Sequence, residues 1–143
     1  VKKNRIDFIS HNTDFDNPHI LKNVENFEKF LIYFEKNFKK KKIMFSIFPT
    51  RERIFYEYLY DNKRNIDLYF EETIKREIKF ENAIIELIEK YNFDVVNSAP
   101  LILKEFKKFK NKKDFYPDDD HPNTLGYEKI AESILNNISF FEN

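Results

Sequence analysis

Hydrophobic residues recur at three- and four-residue intervals in three stretches of the chain, which is the spacing of a helix with one buried face. The stretches run from Asn23 to Phe38, from Asp67 to Tyr91, and onward from Asn123, a residue suited to be an N-cap. We therefore predict three amphipathic helices there. Their apolar positions are Val24, Phe27, Phe30, Leu31, Phe34 and Phe38, then Ile74, Ile78, Ile84, Ile85, Leu87 and Ile88, and finally Leu125, Ile130, Ala131, Ile134, Leu135 and Ile138.

Short apolar runs without helical spacing predict strands. The run "IMFSIF", ended by Pro49, and the run "FDVV", which stops at Asn97, have the character of strands buried on both faces of a parallel sheet. Near the start of the chain an alternating run predicts the end of a strand followed by a polar loop. That run consists of Ile6, Phe8 and the neighbouring Ile9.

Two shorter helices complete the pattern. One is predicted over Arg53–Tyr60 and the other over Leu101–Phe109, with Pro100 in its first turn. Alternating strands and helices with short connections predict an α/β fold with a mostly parallel sheet, and ligands bind such sheets at the carboxyl ends of the strands. The loops after Ile9 and after Phe48, together with the acidic loop before the last helix, are expected at that edge.

Composition limits the possibilities further. The chain has 143 residues, without internal repeat or linker, so we expect one domain over 1–143. The 25 Lys and Arg residues balance the 25 Asp and Glu residues, so the chain has no net charge that would attract nucleic acid or an anionic membrane. Cysteine is absent and there is one glycine, which excludes thiolate sites, glycine-rich phosphate loops and the G-x-S-x-G elbow. No apolar run approaches the length of a bilayer span.

Lysine clusters at 39–42 and 104–113 raise the possibility of nucleic acid binding. The cluster at 39–42 has no interleaved aromatic residue, and no known binding module accompanies either cluster. We therefore predict solvated lysine faces and no nucleic acid partner.

The acidic loop carries the candidate chemistry. His121 follows three aspartates, and a carboxylate on one ring nitrogen would fix the tautomer and leave the other nitrogen to accept a proton. Asp118 or Asp119 is the expected partner, because Asp120 is adjacent and tends to point away. Two plainer interpretations stay open: a surface histidine bonded to a loop carboxylate, and a divalent cation held by the aspartates.

These residues resemble a known family. "YPDDDHPNTLGYEKIAESI" is similar to the last conserved block of the SGNH (GDSL-type) hydrolases, in which Asp-x-x-His supplies the acid and base of a Ser-His-Asp triad. "IMFSIFPTRERIFYEYL" resembles the penultimate conserved strand of the family with its Pro-Thr-(Lys/Arg)-Glu continuation, and "FDVVNSAPLILKEFKK" the strand and helix before the His block. The likeness covers roughly Phe8 to the C-terminus. It implies a three-layer, flavodoxin-like parallel sheet with helices on both faces.

By this resemblance His121 is the catalytic base, and Asp118, by spacing, or Asp119, as in some branches, is its acidic partner. "FISHNTDF" lies where the family has Gly-x-Asn-Asp, which makes Asn12 a candidate oxyanion donor although the glycine is replaced by His11. The Gly-Asp-Ser block and the second oxyanion glycine are missing. None of the serines has the turn context of a nucleophile; they are Ser10, Ser46, Ser98, Ser133 and Ser139.

We therefore expect the C-terminal portion of an SGNH-like domain, incomplete on its N-terminal side. The resemblance implies an ester hydrolase or O-acyltransferase that acts on an ester-bearing small molecule, lipid or carbohydrate, without metal or organic cofactor, and its Pro-Thr-Arg-Glu sequence favours the branch linked to polysaccharide O-acetylation. The competing interpretation is a non-catalytic module. Alone, the chain is expected to be inactive and to self-associate through an unpaired sheet edge. The compartment, the acyl group and the alcohol stay open.

Overall fold

A computed structural model describes residues 3–39, 41–117 and 121–135. The described chain is mostly helical, with six α-helices, one short 3₁₀ turn and two strands. In chain order the elements are α1 (Lys3–Asn12), α2 (Pro18–Asn37), β1 (Met44–Ile47), α3 (Arg51–Asp61), α4 (Leu68–Lys90), β2 (Asp94–Asn97), α5 (Ala99–Lys108), the 3₁₀ turn (Lys112–Asp114) and α6 (Thr124–Leu135).

The five predicted helices and the strands at "IMFSIF" and "FDVV" are confirmed, but the prediction that these strands are buried on both faces is wrong, because Ser46 and Asp94 are exposed and the other strand residues are half-buried. Side-chain caps fix most of the helix starts, as their sequences suggest. The Asn17 side chain accepts a hydrogen bond from the backbone N–H of His19, and Thr50 and Asp67 cap α3 and α4 in the same way. Of the apolar positions assigned to the last helix, Ile138 lies outside the described residues.

The predicted N-terminal strand is wrong, because Ile6 and Ile9 lie on one turn of α1. Both side chains are buried, which is what a three-residue spacing produces on a helix and not what alternation produces on a strand. Helix α1 is fastened to α4 by two side-chain hydrogen bonds. The Tyr69 hydroxyl donates to Asp7 at 2.9 Å, and Arg76 donates to the Ser10 hydroxyl at 3.2 Å.

The predicted three-layer, flavodoxin-like sheet is also wrong. About 68% of the structure is helix and 6% strand, and the described sheet is a parallel pair, β1 beside β2. Each strand is four residues long, and the segment expected to add a third strand is α1. A two-strand sheet offers too little surface for a helical layer on each face.

The chain divides into two compact units. The first contains the described residues of 1–46 and 66–96, and the second those of 47–65 and 97–143. In the first unit α1 and α2 pack on α4, and Phe27 of α2 meets Phe45 of β1, which meets Phe93. Its buried apolar side chains include Ile6, Ile9, Ile20, Leu31, Phe70, Ile74 and Ile88.

In the second unit α5 packs against α3 and α6. Its core consists of the buried side chains Ile54, Ile102, Phe106, Phe115, Tyr116 and Ile130. Two compact units can belong to one domain or to two, so the prediction of a single domain over 1–143 stays a prediction.

Candidate functional site

The corner at the start of α6, residues 121–126, holds the candidate histidine. Asn123 organises it with four hydrogen bonds. Its backbone N–H donates to the Phe115 carbonyl at 3.0 Å, its side-chain amide donates to the Asp114 carbonyl, its Oδ1 accepts from the Gly126 N–H at 2.6 Å, and its carbonyl accepts from Tyr127. Asn123 is therefore the N-cap of α6, as predicted, and also joins this helix to the preceding loop.

The single glycine of the chain has a steric reason to be at this corner. A Cβ placed on Gly126 would lie 2.6 Å from the Pro122 Cβ and 3.4 Å from the Phe115 carbonyl oxygen. Carbon atoms do not approach so closely without displacement. The backbone conformation at this position does not require glycine. Glycine is needed here because the Pro122 ring packs closely on the first turn of α6.

His121 is exposed and is the first residue of this corner. Pro122, which follows it, is held against Gly126, so the backbone that carries the imidazole is anchored on its C-terminal side. Asp118 and Asp119, the candidate acids, lie outside the described residues, as does Asp120. The histidine–carboxylate pair therefore stays a prediction.

Tyr116, shortly before the acidic loop in the chain, is a buried group that the sequence did not single out as functional. Tyr116 is almost fully buried, and burial raises the pKa of its phenol; the charge of Arg51 opposes the shift, while Glu52 and Tyr127 add to it. The Arg51 guanidinium donates to Glu52 Oε1 at 3.1 Å, and that carboxylate is completely buried. These residues belong to "PTRE" and "YP", so their motifs were visible in the sequence although their proximity was not.

The serines whose side chains are described do not supply an exposed nucleophile at a strand-to-helix turn. Ser98 precedes α5 directly after β2, which is a position where nucleophilic serines occur. Its hydroxyl, however, is fully buried and donates to the Ile47 carbonyl at 2.5 Å, so it joins the ends of the two strands. Ser46 is exposed in the middle of β1, and Ser10 accepts from Arg76.

Asn12 is the last residue of α1 and not the end of a strand. The strand-end setting expected for an oxyanion donor is therefore wrong. Asn12 belongs to the first unit and His121 to the second. A role for the Asn12 amide in stabilising an oxyanion stays a prediction.

No family model, curated protein or solved structure matches this chain significantly. The likeness to SGNH hydrolases thus depends on the motifs quoted above. Over residues 3–39, 41–117 and 121–135, no cluster of three or more His, Cys, Asp or Glu side chains is arranged to hold a metal ion. No helix in these same ranges combines the length and apolar character needed to cross a bilayer.

Proposed function

We propose that this chain supplies the acid–base part of a serine ester hydrolase or O-acyltransferase, with His121 as the base. The observation that carries the proposal is the position of His121: an exposed imidazole on a backbone corner fixed by Asn123 and Gly126. A proton-transfer group needs both features, because it must reach the reacting hydroxyl and must be held there.

In the proposed reaction His121 removes the proton of a serine hydroxyl while the serine oxygen attacks the ester carbonyl. The tetrahedral intermediate then collapses, and the imidazolium returns the proton to the departing alcohol. Water, or the hydroxyl of an acceptor, attacks the acyl-serine in the second half with the same proton movements. Asp118 or Asp119 would hold the imidazole in the required tautomer. The serine must come from another polypeptide segment, because this sequence lacks a Gly-Asp-Ser block.

The proposal is tested on the complete gene product with a short-chain p-nitrophenyl ester. His121→Ala should lower kcat by about a thousand-fold or more, as removal of a triad base does. His19→Ala is the matched control, since His19 is also exposed near a helix start, and it should leave kcat unchanged. Full activity in His121→Ala would overturn the assignment.

The same assay separates the two candidate acids. If Asp118 orients the imidazole, Asp118→Asn should reduce kcat strongly and Asp119→Asn should not; the reverse pattern would assign Asp119. Equal and small effects of both substitutions would exclude a carboxylate partner for His121 in this loop.

A non-catalytic module is the second candidate, favoured by the absent Gly-Asp-Ser block. A complete gene product that contains no such block and hydrolyses no ester would establish it.

Under either function we propose that the 143 residues alone are inactive and self-associate, because each strand of the described two-strand sheet has an unpaired edge. Sedimentation velocity over a concentration series tests this, and a monomer at every concentration would contradict it.

A further inference from the structure

A cleft in the first unit combines lysines with aromatic rings. It lies at the amino ends of β1 and β2 and has a volume of about 450 Å³, within the range of small-ligand sites. The end of α2, the residues before β1 and the turn between α4 and β2 form its walls. Its lining includes Lys39, Lys41, Lys42, Phe38, Tyr91 and Phe93.

The aromatic rings of the cleft are anchored by neighbours. Phe38 is 39% exposed, and its centroid lies 4.9 Å from that of Phe34. Phe93 stands edge-on to Phe45 at 5.5 Å. The Tyr91 hydroxyl donates to Glu28 at 2.8 Å, which holds a third ring of the cleft lining. The cleft therefore offers ring surface that is already positioned.

Glu35 and Asp94 also line the cleft, and both are exposed. These carboxylates distinguish between anionic partners. The side chains of an acidic peptide are carboxylates, which Glu35 and Asp94 would repel, and an anionic lipid surface offers no aromatic ring to stack. In a nucleotide the amino groups of the base can donate hydrogen bonds to a carboxylate, the ring can stack on an aromatic side chain, and the phosphate attracts lysine.

We propose that this cleft binds single-stranded nucleic acid. The lysines contact phosphates, Phe38 and Phe93 provide stacking surface, and the two carboxylates accept hydrogen bonds from base amino groups. The lysine run at 39–42 has no interleaved aromatics in the sequence, but the fold brings Phe93 and Tyr91 to it from fifty residues away. This interaction is independent of the ester chemistry proposed for His121.

The test is fluorescence anisotropy of a short fluorescein-labelled oligo(dC) titrated with the 143-residue chain. With three phosphate contacts, affinity should fall about twenty-fold between about 50 and 200 mM salt. Replacement of Lys39, Lys41 and Lys42 by Gln should weaken binding at least about ten-fold at the lower salt and flatten the salt dependence. The matched control changes Lys104, Lys110 and Lys113 to Gln, an equal loss of charge in the second unit, and should bind as wild type.

Phe38→Ala should weaken oligo(dC) binding by roughly ten-fold, the effect of losing one stacked base. Circular dichroism verifies that each variant is folded. The proposal is overturned if the chain fails to bind oligo(dC), if the control triple variant loses as much affinity as the cleft variant, or if a poly-glutamate peptide or anionic vesicles compete as well as unlabelled oligo(dC).

Discussion

Each unit contains a group of neighbouring aromatic residues, and the two groups differ in how far they are enclosed. In the second unit Phe106 is completely buried, with the rings of Phe55, Tyr58, Phe115 and Tyr116 at 5.0–5.9 Å from its own. We call these five residues the enclosed cluster. In the first unit, by contrast, the rings along α2 remain partly in solvent, and we call them the open row. The open row consists of Phe27, Phe30, Tyr33, Phe34 and Phe38.

Ring-to-ring distances do not distinguish the two groups. Phe30 and Phe34 are only 4.3 Å apart, closer than any pair around Phe106, yet Phe30 is 43% exposed. A ring pair contributes about 0.5–1.5 kcal/mol beyond area burial, whereas full burial of a phenylalanine contributes about 1.5–3 kcal/mol. Enclosure should therefore decide how much each aromatic residue stabilises the fold.

The largest expected effect comes from Phe106→Ala, which leaves a cavity inside the enclosed cluster. We expect the free energy of unfolding to fall by about 3–5 kcal/mol. Phe30→Ala in the open row should lower it by less than about 1 kcal/mol, because a half-exposed ring leaves no closed cavity. Equilibrium urea unfolding measures both. Similar losses in the two variants would contradict the comparison.

The sequence predicted α2, α4 and α6 because each carries a long periodic stripe, and Asn17, Asp67 and Asn123 cap these three helices. It failed at α1, where Ile6, Phe8 and Ile9 fit two periods at once: the first pair alternates, while Ile6 and Ile9 are three apart. A run of ten residues is too short for local pattern to decide, and packing against α4 decides it instead.

The prediction of a larger sheet was wrong for a different reason. "IMFSIF" and "FDVV" are strands, as predicted, but a run of apolar residues does not reveal how many neighbours a strand will have. At the candidate site, the cap at Asn123 was readable from the sequence because capping is local. The steric need for Gly126 and the neighbourhood of Tyr116 and Arg51 were not, because they depend on chain segments brought together by folding.

The enclosed cluster is closed on one side by a cation. Lys112 donates to the carbonyls of Phe106, Lys107 and Phe109 at 2.7–3.1 Å and lies within 5 Å of the ring centres of Tyr58 and Phe106. Partial burial lowers the pKa of this ammonium.

Lys112→Met should reduce the free energy of unfolding by about 2 kcal/mol, because three carbonyls at the end of α5 lose a charged donor. Lys113→Met is the adjacent exposed control and should have little effect. Thermal and urea unfolding test the pair. A loss shared by both variants would mean that charge alone, not this contact, matters.

Gly126→Ala probes the corner that joins α6 to the enclosed cluster through Phe115. The new methyl group would meet the Pro122 ring at 2.6 Å, and this overlap opposes the gain of about 1 kcal/mol that alanine brings to a helix. Overpacking of this kind costs about 1–3 kcal/mol, so we expect a net loss of up to about 2 kcal/mol in the free energy of unfolding. Glu128→Ala, at an exposed position on the same helix, should be close to neutral. Removal of the Pro122 side chain in the Gly126→Ala background should restore stability, and failure to do so would exclude this contact as the cause.

The smallest effect is confined to alkaline pH and concerns the hydroxyl of the enclosed cluster. Because burial raises the pKa of Tyr116, the folded chain keeps its phenol protonated at pH values where the unfolded chain, with an ordinary pKa near 10, has ionised. The stabilisation that comes from the buried, protonated phenol is therefore complete below about pH 10. It is lost as the pH rises toward the pKa of Tyr116 in the folded chain, by at most about 1.4 kcal/mol per pH unit. Tyr116→Phe should flatten the alkaline limb of a plot of unfolding free energy against pH, whereas Tyr60→Phe, at a phenol 63% exposed, should keep the wild-type limb. An unchanged limb in Tyr116→Phe would mean that water reaches this hydroxyl, and the cluster would then be no more enclosed than the row on α2.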